Sequence, residues 1–509
     1  MLRRFFSVQT IKQYLELLHV CGFLYLPDYH KERWKNQLHR YLANVNYIVL
    51  CGGMFLCYVN LFVNTSKDIT FFCDQFFTLT LMTLVWVEVW IVNRNVKQFL
   101  QFFDFFETLE TIHSENQVVS NLRKWERKLL LTASSLAAFV LTLEVTIFQF
   151  FPRSQRELDT IVRLFHRKYP QNSFRVQPYT FSLIDASEPA IYYPYYIIYL
   201  YCTFLLILAV VLVIVLYPIC VFHVHAHYII LQDFTRLLGK PHFNRLGLPI
   251  LYTNLWQNTK VLKLELNVVT ADQGVATRLN HHFQQNPELY DDAYLAQIIQ
   301  FENQLFNERK HFDSLFRRYC EVFCTKMTIL VTMAMFMSLN PIFPSMITWS
   351  KIIIQISSAL GFAFVYFYCG ELLAGCNECL ACGVWQSEWY MCSKRTQRDM
   401  LVFLRLNQTL DYLTLFKLWK LGYAWMINAM NYCYSEKDPR LLPAYKPTRL
   451  LHCLCIPSSH ASDRPNPLVT FTLNCHPTVR NSMNIVKVRN CCLVNQQTIY
   501  SARRMSSVM

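Results

Sequence analysis

Between residues 199 and 222 the chain reads YLYCTFLLILAVVLVIVLYPICVF, a run without a single charged side chain. About 20 such residues cross the roughly 30 Å of hydrocarbon in a bilayer as a helix, and backbone amides in lipid must find their partners within that helix. Comparable apolar runs occur at 41–63, 69–92, 128–151, 320–343 and 346–373, and the clean run belongs to a span at 196–222. A seventh, at 410–434, carries Asp411, Lys417 and Lys420, leaving only 421–434 free of charge. A charge at a helix centre costs about 2.5–3.5 kcal/mol on insertion scales, so this last segment is marginal. The expected fold is an all-α membrane protein of seven transmembrane helices.

Composition agrees. Charged residues make up 16% of the 509 and apolar ones 53%, against about a quarter charged in soluble chains. The net charge of +14 is spread over loops beside the apolar spans, where it orients helices, so nucleic acid is not an expected partner. With the N-terminus in the cytosol, the inner segments 1–40, 93–127, 223–319 and 377–409 are all rich in Lys and Arg. The long outer loop 152–195 is basic too, but long loops weigh less in this rule. Asn64-Thr65-Ser66, a glycosylation sequon, falls on the outside in this topology. Seven spans with the N-terminus inside is opposite to G-protein-coupled receptors. No Asp-Arg-Tyr follows the third span, and no Asn-Pro-x-x-Tyr occurs in the seventh.

The first 40 residues read as an uncleaved amphipathic segment. Residues 223–319 are too polar to span, and 261–283 and 293–324 both have the apolar periodicity of amphipathic helices projecting into the cytosol. Walker, GxSxG and HExxH motifs are missing, and the chain is not expected to be an enzyme or to carry a cofactor. Cys376, Cys379 and Cys382 and the alternating His223, His225 and His227 have metal-like spacing, but neither set supplies four converging ligands. Both are read as structural, and no metal is expected. The 19 cysteines lie mostly in spans or inner segments and are read as reduced.

Acidic groups inside spans are costly and mark candidate function. Asp74 and Glu144 lie in the outer parts of the second and third spans and are candidates for a wet outer vestibule; Glu88, nearer the inner end, is read as reaching interface water or pairing with a neighbouring helix. Aromatic and Met side chains of the outer halves suit a small-molecule pocket, with Tyr199, Phe336 and Met337 as the preferred lining residues.

The sixth span closes on Tyr368-Cys369-Gly370-Glu371, followed by Trp389-Tyr390 and the basic, apolar run KRTQRDMLVFLRLNQ at 394–408. Together with the topology, this order and spacing resembles the insect odorant receptor family over residues 1–434. The resemblance implies a subunit of an odorant-gated, non-selective cation channel in the plasma membrane of olfactory sensory neurons. It also implies a hetero-tetramer with a shared co-receptor subunit, a volatile ligand bound among spans two to six, and a cytosolic anchor built from the late helices. In that scheme Cys369, Gly370, Glu371, Trp389 and Tyr390 serve assembly and gating. The seventh helix is split, with Lys417 and Lys420 in a cytosolic first part and Tyr423, Met426 and Met430 facing the pore. The domains implied are 1–40, the spans of 41–222, the cytosolic extension 223–319, and spans five to seven with the anchor at 320–434. Residues 435–509, rich in Pro, Ser and Cys and without amphipathic period, depart from the family pattern. They are read as a disordered extension or a translated non-coding segment. A gustatory-type receptor or a transporter is the alternative. Neither the gustatory Thr-Tyr…Gln-Phe pattern nor an internal repeat is present.

Overall fold

The structure is a computed structural model of the chain. It describes residues 10–26, 32–63, 69–142, 158–159, 162, 188–244, 246–262, 287–339, 346–424 and 427. The chain divides into two units, Met1–Asn431 and Tyr432–Met509, and the described residues all lie in the first. The tail 435–509 falls outside them.

The helices are α1 (Ile11–Val20), α2 (Arg33–Val63), α3 (Ile69–Arg94), α4 (Val96–Ile112), α5 (Gln117–Thr142), α6 (Pro189–Arg236), α7 (Pro287–Leu339), α8 (Met346–Ala374), α9 (Cys376–Gln386) and α10 (Lys394–Asn407). Helices α2, α3, α6 and α8 cover the first, second, fourth and sixth apolar runs, and α7 carries the fifth as far as Leu339, where the described residues stop. Helix α5 carries the third as far as Thr142, beyond which the run leaves the described residues. Among the described residues, Arg33–Val63 and Leu200–Arg236 are each long and apolar enough to cross a membrane. Leu360–Ala374 with Cys376–Gln386, bent by 43°, makes a third if counted as one span.

Helix α6 is the centre of the bundle and packs against α1, α3, α5, α7, α8 and α9. Being apolar nearly all round, it has to be enclosed by protein or lipid on every side. Pro189 starts it in the first turn, where a missing N–H costs nothing. Pro218, deep inside, removes one amide donor and crowds the turn before it. One residue upstream of the carbonyl so deprived, the Val213 carbonyl accepts two hydroxyls, from Tyr319 of α7 at 2.7 Å and Tyr366 of α8 at 2.6 Å. The proline thus coincides with the point where three helices are tied together.

At 48 and 53 residues, α6 and α7 are about 70–80 Å long at 1.5 Å per residue. That is more than twice the hydrocarbon thickness, so both project from the membrane at the same end of the bundle. The segment 293–324, read as an amphipathic helix, is part of α7. The core of the projecting part is aromatic. Phe99, Phe102 and Phe106 recur on one face of α4; Phe99 meets Phe316 and Phe102 meets Phe312 of α7, both of which in turn meet Tyr217 of α6, while Phe106 meets His227 of α6. Helix α1 packs against α6, burying Ile11, Tyr14, Leu15 and Leu18, and Tyr14 donates to the Leu208 carbonyl, inside the 199–222 run, at 2.8 Å.

One expectation fails at 261–283. Val261 and Leu262 belong to a strand, and the rest lies outside the described residues. The strands β1 (His242–Phe243), β2 (Pro249–Asn254) and β3 (Thr259–Leu262) form a small antiparallel sheet, with Ile250 opposite Leu262 and Leu251 opposite Val261. Its turn uses Asn258 at φ 50, a residue type that tolerates the left-handed region. The sheet is pinned to α7, where the Tyr290 hydroxyl accepts the Tyr252 amide at 3.0 Å and meets His242 Nδ1 at 2.9 Å. The helical reading of 261–262 follows local apolar spacing alone, whereas the partner strand supplies the ladder.

A pH dependence follows from this part of the core. His113, buried in the turn after α4, stacks on Phe301 at 5.8 Å. Burial, set against a hydrogen bond with the Trp256 backbone, pushes its imidazole down to about 4. An unfolded chain takes up that proton near 6.5, so the stabilisation is complete above 6.5 and is lost as pH falls toward 4. The total loss is roughly 3 kcal/mol, since each pH unit between those two values is worth about 1.36 kcal/mol. Melting temperatures of the purified protein between pH 7.5 and 4.5 are expected to fall less steeply in His113→Gln than in wild type. Equal slopes would rule this role out.

Candidate functional site

The ending of the sixth span meets the lead-in to the seventh. Gly370, on α8, lies so close to the lead-in that an added Cβ would collide with the Leu421 carbonyl oxygen. One residue on, Glu371 accepts the Tyr423 amide at 2.8 Å through Oε1 and the Tyr412 hydroxyl at 3.1 Å through Oε2. Tyr423 is the first helical residue after the lead-in. Its N–H is therefore one of the orphan donors of a helix start, and a carboxylate there is favoured by the helix dipole. Gly422 is required by the same fit, since a Cβ on it would lie 2.5 Å from Glu371 Oε1.

The lead-in itself is not helical. Thr414–Leu415 (β4) and Trp419–Lys420 (β5) pair as a hairpin, so the helical first part expected to hold Lys417 and Lys420 is corrected to a strand pair. The reason is tertiary. The turn puts Phe416 and Lys417 at φ 49 and 59, unfavourable for bulky residues, and is held by the Phe416 amide donating to Glu321 Oε1 of α7 at 2.7 Å.

A second clamp lies next to it. Arg309 of α7 is 1% exposed, and a buried guanidinium needs partners to offset desolvation. Its Nη1 donates to Asn377 Oδ1 of α9 at 3.1 Å, and its Nη2 donates to the Asp411 carbonyl and lies 3.5 Å from Asp411 Oδ2. Asn377 also donates to the Thr409 carbonyl at 3.3 Å. Residues 409–423 are thus fixed to α7, α8 and α9 together.

Two buried charge groups brace the helices. Glu88 of α3, fully buried, pairs with Lys326 of α7 at 2.6 Å; of the two fates read for Glu88, this is the neighbouring-helix partner. His223 of α6 has Nδ1 2.7 Å from Glu110 of α4 and Nε2 3.7 Å from Glu126 of α5. Glu126 also accepts the Ile11 amide of α1 at 2.7 Å, and Arg123 donates to Glu110 at 3.1 Å. Burial would raise the Glu110 carboxyl, but His223 and Arg123 together outweigh it and hold it below the usual carboxylate range. The sequence offers His223 only as one of three alternating histidines. Its carboxylate partners are about a hundred residues away.

The other sequence candidates fall as follows. Cys369 is fully buried in α8. Trp389, with Tyr390 exposed beside it, sits in a 3-10 turn apart from the Glu371 contacts. That turn is fixed to the end of α6 by the Glu388 amide on the Leu238 carbonyl at 3.0 Å. There Gly239, at φ 76, allows a close approach a side chain would block. Tyr423 packs its ring 5.7 Å from Phe364; Met426 and Met430 lie outside the described residues. Backbone positions 74, 199, 336 and 337 are helical, in α3, α6 and α7, and nothing is described of their side chains; Glu144 and Asn64 lie outside. Cys376 Sγ is 3.8 Å from His225 Nδ1, and among the described residues no three His, Cys, Asp or Glu converge as a metal site.

The family model described as 7tm Odorant receptor matches residues 68–422, most of the chain. The chain belongs to the insect odorant receptor family. Its fold is similar to that of the insect olfactory receptor OR5 from Machilis hrabei, with TM-score 0.58 and 10% identity over 85% of this chain and 97% of that one. The same receptor in complex with eugenol gives TM-score 0.54 and 9% identity over 84% and 95%. No curated protein sequence matches the chain. As an odorant receptor it belongs to a seven-transmembrane family of membrane receptors, and its described residues are largely helical with little sheet. The matched segment ends at residue 422, one position before Tyr423, whose amide Glu371 accepts.

Proposed function

We propose that this odorant receptor binds a volatile small molecule and, in a hetero-tetramer with a co-receptor subunit, opens a non-selective cation channel. Its place is the plasma membrane of olfactory sensory neurons, with the N-terminus in the cytosol and Asn64 glycosylated outside. The observation that carries the reading is the docking of Gly370 and Glu371 on Tyr423. It makes the end of the sixth span and the start of the seventh one mechanical unit, so a movement of α8 is passed to the last helix. Tyr423, Met426 and Met430 face the pore in this reading, and Cys369, Trp389 and Tyr390 belong to the anchor at its base. Tyr199, Phe336, Met337, Asp74 and Glu144 line the odorant site in the outer half.

Family membership supports the receptor role, and a solved relative in complex with eugenol supports a small volatile ligand. The test is to express the chain with and without a co-receptor subunit and record current while a panel of volatile compounds is applied. A cation current that needs both the co-receptor and a compound is expected. Surface-expressed, co-assembled protein silent to every compound would count against the channel reading.

A further inference from the structure

Where α3 breaks into α4, a cleft of about 550 Å³ opens between α3, α7 and the β4–β5 hairpin. Two of its walls carry arginines, Arg94 at the end of α3 and Arg318 in α7. Independent readings of two helices put these cations at one depth. The apolar run of α3 ends at residue 92, two positions before Arg94, and that of α7 begins at 320, two positions after Arg318. This is the headgroup level, where Trp also concentrates. Trp90 stands there half-exposed, with the Arg94 guanidinium 5.4 Å from its ring centre.

The wall holds one carboxylate, Glu321, and its Oε1 is occupied by the Phe416 amide at 2.7 Å. Among the described residues neither Arg94 nor Arg318 forms an ion pair. Two guanidiniums are therefore left at a cleft whose other lining sets the neutral polar Asn95 and Thr325 beside an apolar stretch that includes Trp90, Val322 and Phe416. Guanidinium binds phosphate in a forked, charge-assisted geometry, and the apolar surface beside it suits an acyl chain.

We propose that this cleft binds an anionic phospholipid, its headgroup held by Arg94 and Arg318 and its acyl portion lying on Trp90 and Val322. A soluble phosphate would satisfy the arginines but leave the apolar surface wet. Phe416 closes the cleft from the hairpin that leads to Tyr423. On the channel reading, to which only this step refers, the bound lipid steadies the lead-in to the last helix.

The experiment uses the full chain reconstituted in phosphatidylcholine vesicles containing a trace of fluorescently labelled phosphatidylserine or labelled phosphatidylcholine, with energy transfer from protein tryptophan as the readout. Labelled phosphatidylserine is expected to be enriched around the wild type, and the enrichment to fall at least about fivefold in Arg94→Gln/Arg318→Gln. The control Lys97→Gln/Arg317→Gln removes the same charge from exposed neighbours outside the cleft and is expected to keep it. Inorganic phosphate and glycerophosphoserine are expected not to displace the lipid. No enrichment in wild type, equal loss in both double variants, or displacement by inorganic phosphate would each overturn the proposal. Should the double variant not fold, each single Gln variant must lower the enrichment, and neither doing so overturns it as well. Neither odorant, co-receptor nor current enters the measurement, so its failure is distinct from failure of the receptor reading.

Discussion

Lys326→Met is expected to be among the most destabilising single substitutions in this receptor, lowering stability by about 3–5 kcal/mol, the usual result of stripping one partner from a buried ion pair. Glu88 is 0% exposed and Lys326 7%, with 2.6 Å between them, and the Lys326 ammonium also lies 5.1 Å from the Phe323 ring. Removing the ammonium leaves an unpaired carboxylate fully buried between α3 and α7. The double variant Glu88→Leu/Lys326→Met removes both charges and is expected to recover most of the loss, because apolar replacement of a whole buried pair is commonly neutral or better. Thermal melts of the purified receptor, followed by loss of the monodisperse peak, read both. A single variant melting with the wild type would show that the pair does not brace these helices.

On the proposed channel function, Gly370→Ala is expected to abolish odorant-evoked current while leaving a folded protein at the surface. Its new methyl group collides with the Leu421 carbonyl, so α8 and the lead-in must separate by a few tenths of an ångström or more. Overpacking of this kind costs about 1–3 kcal/mol, which a bundle of this size withstands but a fitted junction does not. Glu371→Gln probes the same contact without adding volume. The carboxylate accepts from both the Tyr423 amide and the Tyr412 hydroxyl, whereas an amide side chain has one oxygen and turns an NH₂ toward the other donor. Loss of a hydrogen bond to a charged group is worth about 1.5–3 kcal/mol, and a right-shifted odorant response with normal surface expression is expected. Wild-type responses in both variants would separate gating from this junction.

The helices are readable in the sequence because insertion and helix formation depend on local composition. The clean fourth run, the apolar sixth run and the long polar-to-apolar run that forms α7 each carry their own instruction, and the family resemblance rests on the order in which they come. The Cys369-Gly370-Glu371 ending is legible as a motif, but not that it touches Tyr423, which the family resemblance alone offers as a pore candidate. The 261–262 strand and the 414–420 hairpin escape such a reading for the same reason: their hydrogen bonds go to partners that a periodicity does not show.

Sequence alone therefore determined the class of molecule, the helices and the family, since each follows from apolar length, loop charge and the spacing of a few residues along one segment. Tertiary structure decided which charges are neutralised by which. Lys326 lies 238 residues from Glu88 and Tyr423 lies 52 from Glu371. His223 draws its two carboxylates from two other helices. Such pairings depend on the rotation and depth of one helix against another, which is set when side chains interlock and leaves no trace in the order of residues along either helix.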